Sequence, residues 1–111
     1  MKMKLLVVTL ALMLLPIAAM AETWQNAALI DNSCAAKVKA NPDAHTRECM
    51  LQCQRAGFGI VTADGNYLKL DANGNAQALA LLKSAKQNDH IRVTVTGVQQ
   101  GDTIKVESVK M

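Results

Sequence analysis

The chain has 111 residues, with 12 Lys and Arg against 9 Asp and Glu and a formal net charge of +3. Two of those cations, Lys2 and Lys4, belong to the extreme N-terminus; the remainder holds ten basic and nine acidic residues, without the clustered Lys and Arg that a nucleic-acid surface needs. Trp24, Phe58 and Tyr67 are the only aromatic residues, too few for a base-stacking platform.

The N-terminal segment has the layout of a secretory signal peptide: a basic start (MKMK), an apolar run (LLVVTLALMLL) and a closing A-x-A (AMA). The apolar run is shorter than the roughly 20 residues that a bilayer core requires. No cysteine follows it directly, so a lipid-anchored precursor is not expected. Cleavage after Ala21 leaves residues 22–111 as a single domain with no membrane span, periplasmic or secreted. In an oxidising compartment a domain this small commonly adds disulfides to a modest core.

The stretch TWQNAALID predicts a first strand, with Trp24 and Ile30 as its core candidates, ending in the turn-prone DNS before Cys34. CAAKVKANPD is irregular or weakly helical. Beyond Pro42, Asp43 is placed to cap a helix from about Ala44 to Ala56, with Gly57 closing it. Two short β-rich runs then flank ADGN, an Asp-Gly hairpin signal. ANGNAQALALLKSAKQND predicts a second helix, with Asn75 as its cap and an apolar stripe from Leu79, Leu82 and Ala78 or Ala85. HIRVTVTGV and TIKVESV are strands joined by QQGD; Ile91, Val93 and Val95 alternate with Arg92, Thr94 and Thr96, the period of a half-buried strand.

This order gives a β-rich α+β protein. Five strands with a helix between the third and fourth is the order of an OB-like barrel. An extra helix, bearing cysteines, falls between strands one and two. An open α+β sheet with two packing helices is the competing architecture.

The segments LIDNSC, HTRECMLQC, GFGIVTADGNYLKLDANGN and VTVTGVQQGDTIKVESV resemble a group of small exported bacterial proteins, largely uncharacterised. These share an opening D-x-x-C, an H-x-x-x-C-x-x-x-C helix and a final barrel hairpin. The resemblance covers nearly the whole chain after the signal. It implies an OB-like barrel and export, and no activity.

Chemistry concentrates in His45, Cys49, Cys53 and Cys34. Steps of four residues on a helix turn about 400°, so His45, Cys49 and Cys53 form a slowly winding ladder. Imidazole and thiolate are ligands that zinc and cuprous copper favour. His45 and Cys53 are two turns apart, however, about 12 Å along a helix axis. A compact site must therefore take His45 with Cys49, or Cys49 with Cys53, and recruit Cys34.

Three cysteines allow at most one internal bridge. Cys34 with Cys49 or Cys53 is the better pairing, because parallel Cβ vectors on one helix disfavour Cys49 with Cys53. The leftover thiol packs as a small hydrophobe or acts in redox chemistry. No oxyanion-forming loop or third orienting group accompanies a Cys–His pair, so catalysis is not expected. DANGN offers Asp71, Asn73 and Asn75 at the spacing of a calcium loop, but Ala76 stands where that loop needs glycine and Leu82 where it needs glutamate. His90 reads as a solvated loop residue and Met50 as helix core.

The expectation is a non-enzymatic binding module that takes a soft metal, copper or zinc, through Cys34, Cys49, Cys53 and His45. The alternatives are a disulfide-stabilised domain that binds a protein or envelope partner, and a periplasmic thiol-redox protein.

Overall fold

Five strands close on themselves in the order β1-β2-β3-β5-β4, with β4 returning to β1. They are β1 (Glu22–Asp31), β2 (Phe58–Val61), β3 (Tyr67–Leu70), β4 (Arg92–Gln100) and β5 (Thr103–Lys110). The computed structural model describes residues 20–111, so the basic start and apolar run of the expected signal peptide lie outside the described residues. All neighbouring strands are antiparallel except β3 and β5, which pair in parallel through Lys69↔Thr103 and Leu70↔Ile104. This is the OB-like barrel expected from the element order, and the open sheet is not adopted.

Strand β1 closes the barrel by serving two partners. Its first part pairs with β4 from Glu22↔Gly97 to Ala28↔Arg92, and its end pairs with β2 from Ala28↔Val61 to Asp31↔Phe58. Two bulges bend the strands far enough to do this. One inserts a residue into β1 between Trp24 and Ala27, where Asn26 takes φ 51°. The other lies opposite Thr96 and Gly97 and gives β5 an additional residue. That insertion shifts the phase of β5, so Ile104, Val106 and Val109 all reach the core.

The barrel core comprises Ala27, Leu29, Phe58, Ile60, Leu68, Leu70, Val93, Val95 and Ile104, among others. Ile30 is completely buried but stands outside that cluster, and Trp24 is only partly buried against it. The connection from β1 to β2 packs against β1.

Three helices complete the chain: α1 (Ala35–Val38), α2 (Arg47–Gln52) and α3 (Ala72–Ser84). Helix α3 lies between β3 and β4 and buries Gly74, Ala78 and Leu82, residues four apart on one face. Gly74 is needed for this approach, since a Cβ there would stand 2.5 Å from Val106 Cγ2. The cap of α3 is Asp71, whose carboxylate accepts from Gly74 N at 3.0 Å. The expected cap, Asn75, instead accepts from Phe58 N at 2.8 Å and ties the helix to β2.

The expected continuous helix from Ala44 to Ala56 is interrupted. Pro42–Ala44 and Gln54–Ala56 are separate 3-10 turns, and only Arg47–Gln52 is α-helical. His45 is extended (φ −89°, ψ 132°), and Thr46 caps α2 by accepting from Cys49 N at 3.2 Å. Asp43 does not cap a helix because its carboxylate lies 2.5 Å from the guanidinium of Arg92. Met50 is buried in the core, as expected for a helix residue.

Leu82 is fully buried where α3 meets the barrel. Leu82→Ala should cost about 2–5 kcal/mol through lost contacts and the cavity left behind. Urea unfolding should show a lower midpoint at an unchanged slope; a loss below about 1 kcal/mol would mean that α3 does not seal the core.

Candidate metal centre

Strand β1 ends in Asp31, a carboxylate with no solvent exposure. Burying such a charge is costly unless hydrogen bonds replace its water. Three donors do so here. Ser33 Oγ and Cys34 N donate to Oδ2 at 2.5 and 3.1 Å, the local side-chain-to-backbone turn that Asp favours at the end of an element. His45 Nε2 stands 2.5 Å from Oδ1. Because an ionised carboxylate only accepts, this nitrogen carries the proton. Burial pushes the Asp31 pKa up, but the Ser33 hydroxyl, the His45 ring and the Cys34 amide together outweigh it and hold the carboxyl below its ordinary value.

His45 reaches Asp31 because its backbone leaves the preceding turn in extended form, with its amide on Pro42 O at 3.1 Å. The ring is 8% exposed. The break in the helix is thus what delivers the imidazole to the carboxylate. A helical His45 would have projected with Cys49.

Cys34 precedes α1 and Cys53 follows α2. Both sit at junctions with nearly the same backbone, φ −106° and ψ 0° for Cys34 and φ −102° and ψ 19° for Cys53. One donor atom from each of Asp31, Cys34 and Cys53 lies within 4.8 Å of the other two. Burial raises the Cys34 thiol pKa, and the nearby Asp31 and Cys53 raise it further.

Asn32 holds the two halves of this cluster in register. Its backbone N–H donates to Gly57 O at 2.9 Å and its side-chain amide to Ala56 O at 2.8 Å, so the loop bearing Cys34 is fastened to the turn after Cys53. The Tyr67 hydroxyl, from β3, donates to Asn32 Oδ1. The Tyr67 ring lies over Gly59, where a Cβ would stand 2.4 Å from it. Gly57 closes the turn at φ 81° and ψ 178°, a region open essentially to glycine alone.

Of the four residues singled out by sequence, Cys34 and Cys53 meet and His45 joins through Asp31. Cys49 is exposed and does not belong to the group. All three cysteines are free thiols, so neither cross-link considered for Cys34, to Cys49 or to Cys53, is present. Asp31 is the member that sequence reasoning passed over. Its signal was the D-x-x-C spacing, which suits an Asp side chain bonding back to the amide three residues on. His90 is 67% exposed and faces Asp89 and Asp43 rather than the cluster.

Comparison with protein-family models, with curated proteins and with solved structures gave no significant match for this chain. Among the described residues, no helix is long and apolar enough to cross a membrane.

Tyr67 is the only tyrosine. Burial, with the Asp31 charge second, pushes its pKa well above the ordinary value of 10. A raised pKa means that the folded state favours the protonated phenol. The resulting stabilisation is fully present below pH 10 and is lost as pH rises beyond it. Alkaline titration followed by tyrosinate absorbance should show no ionisation near pH 10 in the folded protein and a normal curve in urea. A normal curve without urea would contradict the burial of the Tyr67 hydroxyl.

Proposed function

We propose that this protein is an exported, non-enzymatic metal-binding domain whose ion sits between Cys34, Cys53 and Asp31. The observation that carries this reading is the approach of the three donor atoms to within 4.8 Å of one another. Export rests on the N-terminal basic, apolar and A-x-A pattern.

The chemistry of the donors supports it. Two sulfurs suit a soft or borderline ion, and a carboxylate oxygen alongside them suits zinc better than cuprous copper. Asp31 has acceptor capacity for this. A carboxylate offers about four lone-pair positions, three are taken by its donors, and the free one is on Oδ1. His45 then acts from behind the ligand, orienting the carboxylate as outer partners do in metal sites. The negative charges that raise the Cys34 thiol pKa would be offset by a cation, so binding should release protons. Three protein ligands leave a tetrahedral ion one position for water or for a group from a partner.

Zinc and cobalt(II) titrations of the reduced protein test this. One ion per chain is expected, with a sulfur-to-cobalt charge-transfer band. Cys34→Ser and Cys53→Ser should each abolish that band, and His45→Ala should weaken binding about 10–100-fold. Cys49→Ser should leave both band and affinity unchanged. Retention of full affinity by Cys34→Ser would overturn the proposal.

A further inference from the structure

The sulfurs of Cys34 and Cys53 lie within 4.8 Å of each other, and the third cysteine stands apart in solvent. A disulfide needs a bond of about 2.05 Å, so the pair must close by roughly 3 Å at most. The backbone at both residues is held, Cys34 at the start of α1 and Cys53 between α2 and the 3-10 turn Gln54–Ala56, so the closure falls to rotation of the two side chains about Cα–Cβ. Asn32 meanwhile keeps the two segments facing each other. Both thiols are half-buried and therefore within reach of a small reagent.

We propose that Cys34 and Cys53 also form a two-electron dithiol–disulfide couple, and that disulfide formation and metal binding exclude one another at this site. The oxidant is a low-molecular-weight disulfide. A thiolate of the pair attacks one of its sulfurs, the reagent's S–S bond breaks, and a mixed disulfide forms as the first small thiol leaves. The second protein thiolate then attacks the sulfur of the first, the mixed S–S bond breaks, and the second small thiol departs. The two protein thiol protons end on the released thiols. The pair is oxidised by two electrons and the reagent is reduced by two.

Exclusion follows because the same two sulfurs serve both purposes. A sulfur in a disulfide has lost the thiolate charge that binds the ion. By linkage, an ion that binds only the reduced form protects it. At a free metal concentration 100 times its dissociation constant, oxidation should need about 100-fold more oxidising conditions. This half of the proposal rests on the metal-binding reading, whereas the dithiol couple stands without it.

The test equilibrates the purified protein in graded mixtures of reduced and oxidised glutathione, with and without zinc. Samples are quenched in acid, alkylated, weighed and digested. Without metal, Cys34 and Cys53 should lose alkylation together in a single step that links them, whereas Cys49, outside the pair, exchanges only to a glutathione adduct. Added reductant should restore all three. In Cys34→Ser, Cys53 should reach only a glutathione adduct and no internal link. Zinc at 100 times its dissociation constant should shift the midpoint about 100-fold. Loss of Cys34 and Cys53 at different glutathione ratios, or a Cys49–Cys53 link, would overturn the couple. An unmoved midpoint while zinc remains bound would overturn the exclusion. If zinc does not bind at all, the metal reading and the exclusion fail together, and the metal-free titration still decides the couple.

Discussion

A carboxylate removed from water organises the end of the barrel at which Cys34 and Cys53 meet. Asp31 sits where β1 leaves the barrel, and its charge persists there only because three donors converge on it. Each donor comes from a different constraint: a hydroxyl two residues on, an amide three residues on, and an imidazole from a separate turn. Satisfying the carboxylate therefore folds the DNSC loop, starts α1 and draws His45 inward in one arrangement. Removing one donor would leave a buried charge short of partners, which is among the costlier defects a small domain can carry.

The barrel supplies what this local arrangement lacks. Pairing of Asp31 with Phe58 puts the end of β1 beside the start of β2, so the segments bearing Cys34 and Cys53 leave adjacent strands. Asn32 and Tyr67 then bind the loop to the turn and to β3. The cysteines themselves contribute little to holding the connection, since none is bridged. The cluster is positioned by backbone pairing and polar contacts, which leaves its sulfurs free for chemistry.

Much of the fold was legible in the sequence because its signals are local. Alternation in RVTVTGV, Asp-Gly between two β-rich runs and the apolar stripe through Ala78 and Leu82 each report on a few neighbouring residues. Closure between β3 and β5 left no such mark, resting on two residue pairs in parallel from segments more than thirty residues apart. The Cys-bearing helix was misread for a related reason. His, Cys and Cys at intervals of four imitate a helical face, yet Asp31 pulls His45 out of that face and Arg92 takes Asp43 away from any capping role. Cys53 likewise lies just past the last residue of α2. Asp31, the third member of the cluster, was hidden in a motif that looked like a turn.

The ligand set of two sulfurs and one carboxylate oxygen is the central claim, and X-ray absorption at the zinc edge reads it directly. The account predicts two sulfur scatterers at about 2.3 Å and the remaining ligands as oxygen or nitrogen at about 2.0–2.2 Å. Three or more sulfur scatterers would require Cys49 or a second chain, and none would remove Cys34 and Cys53 from the ion; either result would contradict the site described.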